Sequence, residues 1–193
     1  MDITLMALDA ILPGRAIANS GGSGGSIIVA WKGDTRRKHG NQYEIFGSAY
    51  GAGDGVDGAS GTTVNLINLY AAPVEIIEAE FPCRIHSFEM GTDSGGPGEF
   101  RGGLSFRRTY ELLEPAEIVY RGDRAIEAPQ GLRGGKPGGH SRFIVNPGPS
   151  REEIMPSSAR LHLEAGNVFS VQPPGGGGYG DPARRDPAAL ADD

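Results

Sequence analysis

Glycine constrains this chain more than any other feature. It fills 32 of the 193 positions, more than twice the share of about 7% in ordinary proteins, and it comes in blocks. Asp93-Ser-Gly-Gly-Pro-Gly98, Phe100-Arg-Gly-Gly103, residues 131–139 and Pro173-Pro-Gly-Gly-Gly-Gly-Tyr-Gly-Asp-Pro182 are the densest. Glycine loses the most backbone freedom on folding and brings no side chain to a core. The blocks are therefore turns, bulges or close-packed backbone, and the apolar core must come from the segments between them. No Gly-X-Y period runs through the chain, which excludes a collagen-type helix. With 14 prolines the composition approaches that of low-complexity chains. The segments between the blocks are nonetheless well patterned, as a disordered chain would not be.

Those segments are mostly strands. Residues 26–31 and 43–46 are β-branched or aromatic runs, and 104–112 takes up period two, with Leu104, Phe106, Tyr110 and Leu112 on one face. Residues 117–120, 142–145, 160–163 and 168–171 follow, the last two joined by Glu164-Ala-Gly-Asn167, which reads as a hairpin connection. Helical spacing predicts a helix over 4–12, with Leu5, Leu8 and Leu12 on one stripe, stopping before Pro13-Gly14. A second helix is predicted over 73–81. In the tail Asp181 can cap a helix with Pro182 in its first position, which Pro187 would interrupt. About seven strands against two or three short helices predict a mainly β fold with an α+β tendency. The expected architecture is one glycine-rich, sandwich-like domain over 1–193, loose over 183–193.

Charge and cysteine usage narrow the function. The net charge is −6, and the longest basic run, Arg36-Arg37-Lys38, reads as a solvated turn, so nucleic acid is not the expected partner. The single cysteine, Cys83, excludes an internal disulfide framework and suits a reducing compartment. No apolar run reaches membrane-span length, and the acidic start Met1-Asp2 does not resemble a secretion signal. The expected location is cytoplasmic.

Several chemical motifs match in form and fail in context. Gly21-Gly-Ser-Gly-Gly25 fits the nucleophile-elbow pattern, but its strand follows Ser23 instead of preceding it. Gly175, Gly177 and Gly180 fit a dinucleotide fingerprint, but too little sequence follows for the βαβ unit. Gly135-Lys136 is followed by Pro137 where a P-loop needs Ser or Thr. The histidines (His39, His86, His140 and His162) lack metal-ligand spacing. His140, beside Gly138-Gly139, is the weak metal or general-base candidate. This chain is thus expected to bind neither ATP nor a metal. The glycine blocks themselves admit two readings: tight turns, or backbone N–H nests that hold an anion beside Arg101 or Arg124.

In their order the blocks resemble the C-terminal part of the hydantoinase B/oxoprolinase family. The resemblance runs through Ser20-Gly-Gly-Ser-Gly24, Asp54-Gly-Val-Asp57, Pro73-Val-Glu-Ile-Ile-Glu78 and Asp93-Ser-Gly-Gly96. It continues through Phe100-Arg-Gly-Gly-Leu104, Gly122-Asp-Arg124, Gly134-Gly-Lys-Pro-Gly138 and the block ending at Pro182.

The resemblance implies a component that works with a hydantoinase A-type subunit, which carries the ATP site, to open hydantoins or 5-oxoproline. Acetone and acetophenone carboxylases are related, so carboxylation is the alternative activity, and a non-catalytic assembly module a third reading. Family subunits are longer, with an N-terminal Asn-Asp-Pro-Tyr segment and a Gly-Thr-His-type motif that do not occur here. A divalent metal and ATP are therefore expected elsewhere in the complex, and the missing N-terminal part of the B-type component is an expected partner. No catalytic residue is carried over. Asp93, Ser94, Arg101, Asp123 and Arg124 are the residues expected to line or shape the shared cavity, with Gly95, Gly96, Gly134 and Gly135 as the candidate anion nest.

Overall fold

The computed structural model describes residues 2–31, 40–64, 67–148 and 152–193. The basic triplet 36–38 and His39 lie outside the described residues. Two antiparallel sheets face each other. The first contains β1 (Gly25–Trp31), β2 (Gly40–Phe46), β5 (Ala116–Arg121) and β8 (Ser158–Leu163), in the order β2-β1-β5-β8. The second contains β3 (Cys83–Met90), β4 (Phe106–Leu112), β6 (Arg142–Val145), β7 (Glu153–Met155) and β9 (Val168–Gln172), in the order β3-β4-β9-β6-β7. The mainly β expectation holds.

Alternation builds the core. Ile27, Val29 and Trp31 of β1 and Ala116, Ile118 and Tyr120 of β5 point inward against Tyr110, Leu112, Phe143, Val145, Phe169 and Val171 of the other sheet. Aromatic rings tie the layers: Tyr110 stacks on Phe169 at 4.8 Å and Tyr120 on Phe143 at 4.6 Å. Helix α2 (Val74–Glu80) follows Pro73 and buries Ile77. Phe81, just beyond it, stacks on Trp31 at 5.5 Å.

The structure departs from the local expectations at several places. Residues 164–167 do form a turn, with Glu164 N–H donating to Asn167 Oδ1 at 2.9 Å, but it is not a hairpin. Its strands belong to different sheets, and its backbone docks on Leu112 (Gly166 N–H to Leu112 O, 2.7 Å). Helix α1 ends earlier than predicted, at Asp2–Asp9, and buries none of its residues. Strand β3 had no expected bounds, although His86 lies in a strand candidate, and β7 was not expected; exposed apolar residues (Phe88, Met90 and Ile154) blur the alternation of both. Finally, 182–193 contains two short helical elements. A 3₁₀ turn (Pro182–Arg184) is capped by Asp181, and Asp186 caps α3 (Pro187–Asp192). Pro187 starts that helix instead of interrupting one, because a first-turn proline has no N–H to lose.

Candidate functional site

The glycine blocks gather into a lobe beside the sandwich, with 175–180 at its centre. Gly176 N–H donates to Gly103 O (2.9 Å), Gly177 N–H to Asn19 O (2.8 Å) and Gly178 N–H to Lys136 O (2.9 Å). In return Gly176 O accepts from Gly96 N–H (2.8 Å) and Gly177 O from Ala52 N–H (2.9 Å). At these points the segments touch through backbone. A methyl group built on Gly176 would overlap the Tyr50 carbonyl, whose carbon lies 2.5 Å away, and one on Gly102 would lie 2.5 Å from the Gly176 carbonyl carbon. Only glycine fits there. Two members of the candidate nest have their N–H groups engaged: Gly96 by Gly176 O and Gly135 by Leu132 O (3.0 Å). The anion-nest reading fails at these two positions. Gly134, at φ +98°, supplies a turn beside Asp181.

On one flank of this lobe lies a cavity of about 640 Å³ that brings Asp93, Gly95 and Arg101 together with Met90, Leu104 and Leu190. Asp93 sits at φ +53° on the connection from β3 and is exposed. Ser94 is buried beneath the cavity wall. Its Oγ donates to Gly91 O (2.6 Å) and accepts from Ser105 N–H (2.9 Å), so it fixes the loop.

Arg101 Nε donates to Asp193 Oδ1 (2.8 Å), and its backbone N–H donates to Asp57 Oδ1 (2.7 Å). Arg185 grips Asp57 with both terminal nitrogens (3.0 and 2.9 Å) and Asp193 through Nε (2.8 Å). The hydrogen bonds from Arg185 hold the Asp57 carboxyl below its ordinary range against partial burial. Burial acts to raise Asp193, yet the bonds from Arg185 and Arg101 outweigh it and lower that carboxyl too. Asp57, Arg185 and Asp193 escaped sequence reasoning because they are ordinary surface types far apart in the chain. The one available signal was Asp57 within the Asp54-Gly-Val-Asp57 motif.

Asp123 and Arg124 lie elsewhere. Asp123 accepts from the Ser23 hydroxyl, while Arg124, at φ +57°, donates to Asp2 (3.0 Å), which also accepts from Ser20. They neither pair with each other nor join the cavity of Asp93 and Arg101. His140 is exposed, and among the described residues no group of three or more His, Cys, Asp or Glu could hold a metal.

A smaller cavity, about 270 Å³, opens on the sandwich at Glu44 and Arg108. Arg108 projects from β4 on the inward face, fully buried, with its guanidinium carbon 4.1 Å from the centre of the Phe88 ring. It pairs with Glu44, which also accepts from the Tyr110 hydroxyl at 2.5 Å. Burial pushes the Glu44 carboxyl up, against the pull of Arg108 and Tyr110. An arginine at an inward position of an alternating strand was the overlooked signal, since a buried cation needs a partner.

The model of the family described as hydantoinase B/oxoprolinase matches residues 1–182. The chain belongs to that family. It is 27% identical over its whole length to the B-type component of a putative D-/L-hydantoinase of Pseudomonas sp. (strain NS671), of which it spans 32%. The crystal structure of ATP-dependent caprolactamase from Pseudomonas jessenii superposes with a TM-score of 0.81 at 29% identity, covering 96% of this chain and 34% of that one. Acetone carboxylase, in its nucleotide-free structure, shares the fold at a TM-score of 0.75 and 19% identity, covering 93% of this chain and 28% of that one. The chain thus spans about a third of the length of these relatives. Among the described residues, no helix is long and apolar enough to cross a membrane.

Proposed function

We propose that this chain supplies the C-terminal third of a B-type component in an ATP-dependent cyclic amidohydrolase of the cytoplasm. In this reading it works with an A-type subunit and with the N-terminal part of the B-type component, and it opens a hydantoin, 5-oxoproline or related lactam ring. The observation that carries the reading is the likeness to ATP-dependent caprolactamase, at 29% identity across nearly the whole chain. The likeness to acetone carboxylase, at 19%, is one of fold, so carboxylation takes second place and a purely structural module third.

Chemistry accounts for the need for ATP. The amide carbonyl is resonance-stabilised, and phosphorylating its oxygen makes the carbon open to water. ADP leaves as the phosphoryl group is transferred; water then adds to the carbon, the ring C–N bond breaks as its nitrogen takes up a proton, and phosphate departs to leave the carboxylate. The phosphoryl oxygens carry negative charge through these steps, and a fixed guanidinium in a partly dry cavity stabilises it. Arg101 is this chain's candidate for a group facing the anion, and Asp93 lines the same cavity. The glycine lobe would hold both on a rigid frame. ATP and any divalent metal would bind outside this chain.

The test combines the chain with the N-terminal segment, the A-type subunit and ATP. Ring-opened carboxylate from 5-oxoproline, hydantoin or caprolactam is followed beside the fixation of labelled bicarbonate into acetone. ATP-dependent ring opening supports the proposal. Label fixation without ring opening contradicts it in favour of the carboxylase, and neither activity favours the structural module.

A further inference from the structure

The family match ends at residue 182, yet the segment beyond it closes one side of the larger cavity. Arg185, Leu190 and Asp193 all come from this segment, whereas Arg101, Met90, Leu104 and Pro97 come from the matched part. The Asp193 side chain reaches Arg101 Nε at 2.8 Å, Arg185 Nε at 2.8 Å and Arg185 Nη2 at 3.0 Å. Two guanidinium groups therefore converge on one carboxylate.

The two are not equally committed. Arg185 keeps a two-pronged hold on Asp57 whether or not Asp193 is present, so it remains a fixed cation. Arg101 has one side-chain bond to a carboxylate, the one to Asp193, and otherwise reaches the Gly102 carbonyl at 3.2 Å. If Asp193 left, Arg101 Nε and Arg185 Nε would both point at a space the size of a carboxylate. Apart from Thr92 and Asp93, the wall suits an apolar body, with Met90, Leu104, Pro97 and Pro137 around it.

We propose that Arg101 and Arg185 form a binding site for the carboxylate of a small organic acid with an apolar body, and that the Asp193 side chain occupies it as an internal stand-in. Planar forked donors suit a carboxylate. A tethered competitor lowers the apparent affinity by the fraction of time it holds the site. This deepens the proposed function at the same cavity, because every ring opening considered above yields a carboxylate. Its test is a binding measurement on this chain alone, so the two can fail separately.

The experiment titrates the full chain and the variant Asp193→Ala with butyrate, with its neutral isostere butyramide and with inorganic phosphate. The readout is the arginine Nε–H resonances in nitrogen-15 NMR spectra. Asp193 follows α3 and belongs to neither sheet, and the backbone amide spectrum checks that the fold persists. Butyrate is expected to shift the Arg101 and Arg185 signals and to bind Asp193→Ala about tenfold more tightly than the parent, as when the stand-in holds the site about nine-tenths of the time. Butyramide should not bind, and Arg101→Gln in the Asp193→Ala background should abolish butyrate binding. Three results would overturn the proposal: equal butyrate affinity in parent and variant, butyramide binding as well as butyrate, or phosphate binding more tightly than butyrate. If Asp193→Ala did not fold, the parent would be titrated against Arg101→Gln, and butyrate shifts surviving that change would contradict the site.

Discussion

In the sandwich, Tyr110 and Phe169 stack at 4.8 Å and the two sheets meet through side chains. In the glycine lobe, Gly102 and Gly176 meet through their backbones, with no side chain between them. The first core is held by apolar burial, which tolerates changes of shape if volume is kept. The second is held by backbone hydrogen bonds at separations that exclude any Cβ. The lobe should therefore be far less tolerant of substitution than the sandwich, although it contributes little apolar surface. The difference also suits a site: a frame that cannot rearrange keeps Asp93 and Arg101 in place.

The largest expected effect follows from Gly176→Ala. Its Cβ would overlap the Tyr50 carbonyl, and neither side of that contact can rotate away. We expect no soluble folded protein, at a cost beyond the about 1–3 kcal/mol of ordinary overpacking. A variant with an unchanged thermal melt would show that the lobe is loosely packed. Phe169→Ala in the sandwich should cost about 3–5 kcal/mol and still fold, with a lower denaturant midpoint in urea.

Acid should affect the two regions with opposite sign. Glu44, at the sandwich, is raised above its ordinary 4.5 by burial, so its folded form takes up a proton more readily than the unfolded chain does. Its contribution to stability is greatest at low pH and falls as pH rises from 4.5 through the raised value. Asp57 and Asp193, at the lobe, are lowered from 3.8. Their contribution is complete above 3.8 and is lost as pH falls through their lowered values. Hydrogen exchange measured against pH should show α3 opening in acid before β2 does, and Glu44→Gln should flatten the slope of stability above 4.5. The reverse order of opening would contradict these assignments. The smallest effect is expected from Ser23→Ala, which removes an exposed hydrogen bond to Asp123 and should change stability by less than about 1 kcal/mol. It should leave ring opening in the assembled complex unchanged. A large loss of activity would revive the nucleophile reading.

The sandwich was legible in sequence because side-chain alternation encodes it. Phe106, Tyr110 and Leu112 announce their face by period two. The pairing of β8 with β5 instead of β9 was not legible, since the turn at 164–167 looks the same locally whether its strands pair or part. The glycine lobe was visible as blocks but not as a structure, because glycine has no side chain whose pattern could reveal a neighbour. The same gap affected the site. Arg101 was identified from its motif, whereas Asp123 and Arg124, drawn from an equally distinctive motif, fold to a separate cluster with Ser23 and Asp2.

The most direct test of the account compares Arg101→Gln, on the lobe's cavity, with Tyr43→Ser, at an exposed position on the four-stranded sheet, in the complex with the N-terminal segment, A-type subunit and ATP. The account predicts that Arg101→Gln lowers kcat/KM for ring opening at least tenfold, about 1.4 kcal/mol of transition-state stabilisation, while Tyr43→Ser leaves it unchanged. Full ring-opening activity in Arg101→Gln would contradict the placing of the site on the glycine lobe.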